Sequence, residues 1–289
     1  MSPAPEPLIL KRLRVASDGD TAFDYWHLGS RVRWRGLFDC GDAREAPFAL
    51  NEDYFEYLDL AEALDAAGPV FTMAELGAGY GRWCVTGGVA ARRSGRMAKL
   101  IAVEADRRHF EMLQQHFSDN DLDPREHKLI YAPITGTRRR LYFTQGGPDE
   151  WWGQFILPRR PFNFLLVRIR AHRLLRRILG GDYGVSVDPA DSITLADVLS
   201  GVAFVDLIHM DVQGAEAGIV EHGIDLLTAK VRRVHIGTHS AGIEETLRRV
   251  FSRAGWTCRF DYAGNGVRET GHGPVTFIDG VQSWINPKL

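Results

Sequence analysis

Apolar residues follow two spacings along this chain, and the alternation between them sets out its elements. Before residue 50 neither spacing is clear. Ser2 to Pro7 is proline-rich and expected to be mobile, and residues 21–48 carry Phe23, Tyr25, Trp26, Trp34, Leu37 and Phe38 without a period, as an irregular aromatic segment laid on a larger body would. Asn51 then reads as a helix N-cap: Glu52 and Asp53 fill the first turn, Tyr54, Tyr57, Leu58, Ala61 and Leu64 fall at helical spacing, and Gly68-Pro69 is the stop. From Val70 the pattern predicts strand 70–76, helix 82–94, strand 99–105, helix 107–118, strand 127–133 and a β segment at 139–143. Residues 144–187 interrupt it. It resumes with a short helix at 192–199, strand 205–212, helix 214–227, strand 231–237, helix 241–254 and strands near 257–262 and 274–284, the last two read as a hairpin.

Strands alternating with helices mean a mostly parallel sheet covered on both faces, with ligands at the carboxyl ends of its strands. The expected organisation is a tail with a helical and aromatic cap over 1–68, then one α/β domain over 69–289 with an insertion at 144–187. At 289 residues and 45% hydrophobic the chain can bury a substantial core. A net charge of −2 argues against general nucleic-acid binding, which draws on a basic excess. Cys40, Cys84 and Cys258 show neither a disulfide framework nor zinc spacing, so a reducing cytoplasm is the expected setting. No apolar run approaches the roughly 20 residues that span a bilayer, and a soluble protein is expected.

The glycines after the first long strand change the picture. Glu75-Leu76-Gly77-Ala78-Gly79-Tyr80-Gly81 follows an apolar run, and Ile101-Ala102-Val103-Glu104-Ala105-Asp106 ends the next one in a carboxylate. Glycines at a strand-to-helix turn let backbone approach a ligand, and an acid at the next strand's end accepts both hydroxyls of a ribose. A dinucleotide fingerprint would need a third glycine at 82, where Arg82 stands. That speaks against a nicotinamide-dependent oxidoreductase, one rival reading. The spacing here, preceded by an acid, suits S-adenosylmethionine, which brings no pyrophosphate but does bring an ammonium that Glu75 or a nearby carbonyl can face. Gly77, Gly79, Gly81, Glu75, Glu104 and Ala105 are the candidate cofactor residues.

Two later segments supply candidate chemistry. In 205–216, His209, Asp211 and Gln213 share one face of a strand; His209 reads as a satisfied core histidine, whereas Asp211 falls at the rim, where a carboxylate serves substrate, metal or the cofactor's ammonium. In 234–240, a strand runs into His239 and Ser240 beside that rim. Histidine suits proton removal near neutral pH, so His239 is the candidate base with Asp211 orienting it. The alternative is that Thr238, His239 and Ser240 cap the following helix.

With these residues the chain resembles the FkbM-type S-adenosylmethionine-dependent methyltransferases. The resemblance rests on Glu75–Gly81, Val103–Asp106, Thr194–Leu199 and, most specifically, Asp206–Glu216, and covers roughly residues 70–256. The family usually has lysine where His209 stands and glutamate where Gln213 stands. It implies a Rossmann-like class I methyltransferase fold, a mostly parallel seven-stranded sheet with an antiparallel C-terminal strand. It also implies O-methylation of a sugar, glycan or other natural-product hydroxyl. Some relatives use a divalent metal such as magnesium, but no full ligand set demands one. A catalytically silent S-adenosylmethionine-binding partner is the other rival. Within the insertion, Trp151, Trp152 and a basic amphipathic helix over 162–179 are expected to form a lid or a homo-oligomer contact, with peripheral binding to anionic lipid as a third use.

Overall fold

The computed structural model describes residues 7–38, 40–145 and 186–289. The expected lid and basic helix, with Trp151 and Trp152, lie outside the described residues.

A short helix α1 (Leu8–Leu13) precedes an irregular stretch in which β1 (Asp24–Tyr25) pairs with β2 (Arg31–Val32). Helix α2 (Glu52–Ala66) follows, with Asn51 at its N-cap but without the side-chain capping bond its identity suggests. The alternating core runs β3 (Val70–Leu76), α3 (Arg82–Arg93), β4 (Met97–Glu104), α4 (Arg107–Asp119) and β5 (Lys128–Tyr131). An antiparallel pair, β6 (Arg140–Gln145) with β7 (Ser186–Asp191), flanks the insertion. The core continues through α5 (Leu195–Val198), β8 (Leu207–Met210), α6 (Glu216–Lys230), β9 (Arg233–Thr238) and α7 (Ala241–Ala254). It ends in β10 (Thr257–Tyr262), β11 (Gly266–Thr270), β12 (Gly273–Phe277) and β13 (Gly280–Ile285).

The central sheet has seven strands in the order β10-β13-β9-β8-β3-β4-β5, parallel at β9-β8-β3-β4-β5 and antiparallel on both sides of β13. This is the Rossmann-like class I methyltransferase fold. The C-terminal hairpin is corrected in detail. Strand β10 pairs with β13, and the run 274–284 is two strands, because β11 and β12 form a separate hairpin inserted between them. Strand β8 is also shorter than the apolar pattern suggested, since Val205 makes only a bridge to Val231 and the backbone turns away after Met210.

Each face of the sheet has its own core. Phe55, Leu60, Phe71, Met73, Trp83, Leu113 and Phe117 pack on one side, under α2, α3 and α4. Leu76, Ile208, Met210, Ile219, Leu227, Leu247 and Phe251 pack on the other, under α6 and α7. Strands buried on both faces explain why β3, β4 and β8 read as near-continuous apolar runs. Among the described residues no helix is long and apolar enough to cross a membrane.

Candidate functional site

The ends of β3, β4, β8 and β9 meet at one rim. After β3 the chain turns through Gly77 (φ +79°), Gly79 (φ +54°) and Gly81 (φ +82°) into α3. Left-handed backbone suits glycine, and Gly77 is required for a second reason: a Cβ there would lie 1.8 Å from the carbonyl oxygen of Asp211. The space above Gly79 is open, with nothing within 4 Å of where its Cβ would be.

Glu104, at the end of β4, lies buried beneath this loop. One carboxylate oxygen accepts the Gly79 N–H and the other the Asp106 N–H, each at 2.6 Å. Burial pushes its carboxyl up to about 7, and each oxygen keeps a lone pair. Ala105 follows it on the same rim, ahead of Asp106, which caps α4 by accepting from the amides of Arg108 and His109.

Glu75 departs from expectation. Its carboxylate accepts the N–H groups of Trp83 at 3.2 Å and Cys84 at 2.8 Å, so it satisfies the orphan amides of α3 from below the loop instead of facing a ligand's ammonium. Burial raises its carboxyl to about 7.

Beyond β8, Asp211 is half-exposed and donates its own N–H to the Leu76 carbonyl at 2.9 Å, which ties this turn to the glycine loop. Gln213 follows in left-handed backbone at φ +53°, reaching back to the Asp211 carboxylate at 3.0 Å. The expectation that His209, Asp211 and Gln213 share a strand face fails for this reason. The strand ends at Met210, leaving His209 buried and the other two on a turn.

His239 stands between two carboxylates, with Nε2 3.3 Å from Asp211 and Nδ1 2.9 Å from Glu216. Burial alone would lower its pKa, but the two anions override it and push the ring up to about 10. The same contact holds Asp211 below the ordinary carboxylate range, against the effect of its own burial. This corrects the near-neutral reading of His239: at pH 7 the ring carries its proton. Capping falls to Ser240, whose hydroxyl accepts the Ile243 N–H.

Sequence reasoning missed the bond of Glu216 to His239, since the pairing joins the start of α6 to the end of β9. It also missed Arg82. Its partly buried guanidinium bonds Asp53 of α2 at 2.5 Å and stacks over Trp26, 3.8 Å from the ring centroid. With Asn51, Phe38 and Tyr57 these residues line a cavity of about 370 Å³ beside the end of the glycine loop. The aromatic segment and α2 therefore enclose a pocket.

No protein-family model matches the chain. Over 220 residues, 76% of this chain and 74% of the other, it is 27% identical to a protein of Jannaschia sp. (strain CCS1) named "Putative methyltransferase". Among solved structures, methyltransferase FkbM from Methylobacillus flagellatus KT aligns with 75% of this chain and 44% of its own at 12% identity, with a TM-score of 0.44. Precorrin-6y C5,15-methyltransferase from Geobacter metallireducens GS-15 aligns with 78% of this chain and 84% of its own at 10% identity, with a TM-score of 0.41.

Proposed function

We propose that this chain is an S-adenosylmethionine-dependent methyltransferase acting on a hydroxyl oxygen, with a sugar, glycan or other natural-product acceptor. The observation that carries the reading is the left-handed glycine turn over a buried acid at the end of the neighbouring strand. The acid offers lone pairs to a ribose, and open space lies above Gly79. The similarity to the Jannaschia protein supports it.

When bound, the cofactor supplies an electrophilic methyl on a sulfonium. Gly77, Gly79 and Gly81 would bring backbone close to it, Glu104 would accept from the ribose hydroxyls, and Ala105 would lie next to the nucleoside. Glu75 holds the loop's shape from beneath. Asp211 would face the positive end of the ligand, and the cavity by Arg82 would receive the acceptor. As the acceptor's oxygen gains the methyl and the donor's carbon–sulfur bond breaks, leaving a neutral thioether, Asp211 and His239 would take the acceptor's hydroxyl proton. The imidazole accepts it only after giving up the proton its two carboxylates hold, so turnover rises with pH across the alkaline range. Most of the rate comes from positioning the two reactants.

Calorimetry with S-adenosylmethionine and its demethylated product, together with label transfer to a panel of hydroxylated acceptors, tests this. Glu104→Ala is expected to weaken cofactor binding at least about tenfold, while His239→Ala leaves binding intact and slows turnover roughly a hundredfold. Absence of heat with either ligand overturns the cofactor assignment. Heat without product on any acceptor points to a silent binder.

A further inference from the structure

We infer that Glu56, His209 and His235 form a binding site for a divalent transition metal of the zinc type, behind the rim and separate from the methyl-donor residues.

The site begins with strand register. Glu75 on β3 lies opposite His209 on β8, His209 opposite His235 on β9, and His235 opposite Ser283 on β13. Neighbours in register project to the same face, so a row of polar side chains crosses the middle of the sheet under α2. Glu56 and Asp59, three apart on that helix, lie over the row.

Polar groups in such a place are costly unless partnered. Here Oε2 of Glu56 and Nε2 of His235 are buried without a hydrogen-bond partner. His235 is 1% exposed and His209 6%. One donor atom from each of the three residues lies within 4.8 Å of the others, and Glu56 Oε2 is 3.3 Å from His209 Nε2. A tetrahedral ion with ligands at about 2.0–2.2 Å holds its donors about 3.3–3.5 Å apart, so that edge already has the right length.

The surroundings fix the donor on His235. Its Nδ1 is 2.6 Å from Asp59 Oδ2, and Asp59 is gripped in turn by Arg233. A carboxylate on Nδ1 keeps the proton there and presents the Nε2 lone pair to the cluster, the support that metal-bound histidines have. Two imidazoles and one carboxylate favour zinc or ferrous iron over magnesium, and three protein ligands leave one position open. The group Asp211, Glu216 and His239 is the less suitable alternative. Both ring nitrogens there already face carboxylates, and Glu216 Oε1 also accepts from Val212 and Gly214.

The test uses the full-length chain, stripped with chelator, reloaded with zinc and dialysed, then assayed for metal by elemental mass spectrometry. Cobalt(II) titration, read through its visible absorption, gives the affinity. Wild type is expected to retain about one equivalent, as a site with preformed ligands does. Glu56→Gln and His209→Lys should lose it, and Asp59→Asn should weaken it by about 10–100-fold. His239→Ala should retain it. His209→Lys guards against misfolding, because its ammonium would stand between Glu56 and Glu75; circular dichroism and cofactor binding confirm that it folds. Folded wild type that keeps no metal overturns the proposal. So does loss of metal in His239→Ala with retention in folded His209→Lys. Neither result bears on the methyl-transfer reading.

Discussion

Single residues at the rim act through contacts that their neighbours dictate. Gly77 and Gly79 are both left-handed, yet their replacements should differ. Gly79→Ala meets no atom and carries only the backbone cost of about 1–2 kcal/mol, while its methyl enters the space proposed for the cofactor. Gly77→Ala adds a collision with the Asp211 carbonyl. Thermal denaturation should show the larger loss for Gly77→Ala, and calorimetry should show weakened ligand binding in both; equal stability of the two would contradict the packing described. His239 gives a pH-dependent term with a definite sign. Its folded pKa of about 10 lies above the ordinary 6.5, so its stabilising contribution is complete below pH 6.5 and is lost as pH rises through 10. The melting temperature of wild type should therefore fall toward that of His239→Ala between those limits, and parallel curves would show that the ring is not held as described. At this scale the sequence was legible where chemistry is local, as at the glycine turn and Glu104. It was not where partners come from distant elements: nothing in 70–82 announces that Glu75 is taken by α3, or in 235–240 that His239 will find Glu216.

Elements are legible in proportion to their periodicity. The alternation after Val70 placed the core strands and helices in their order, with ends within about three residues, because apolar runs and helical spacing mark what each element buries. The hairpin of β11 and β12 escaped notice because its strands are short and half-exposed, and Gly264 to Gly266 and Gly271 to Gly273 fit either connection. Helix α2 shows how an element is anchored by charge as well as by apolar contact. Asp59 is fully buried and pairs with Arg233 and His235, and Arg233 also reaches Glu62 at 2.8 Å. Removing one partner of a buried pair leaves an uncompensated charge, so Asp59→Ala should cost about 3–5 kcal/mol, read by chemical denaturation. A loss below about 1 kcal/mol would mean that α2 is held by its apolar face alone.

Across the whole molecule, stability is expected to be graded. The parallel strands β3, β4 and β8 are covered on both faces, whereas β1 and β2 are two-residue strands tied to the body through contacts such as Ser30 with Thr86 at 2.8 Å and the Arg31 N–H with Asn120 at 2.7 Å. Native-state hydrogen exchange should find the amides of β3 and β8 among the slowest and those of residues 24–32 faster, since segments with few ladder bonds open at lower cost. Equal protection throughout would make the aromatic segment part of the same cooperative unit. The cap and pocket could be located from sequence only as aromatic residues without a period, because an irregular segment takes its shape from what it covers.

The contact of Gly77 with the Asp211 carbonyl, reinforced by the bond from the Asp211 amide to Leu76, leaves no slack between two turns that belong to different strands. A ligand that reshapes one turn would therefore press on the other. Donor and acceptor would then load in a preferred sequence, the first arrival setting the seat for the second.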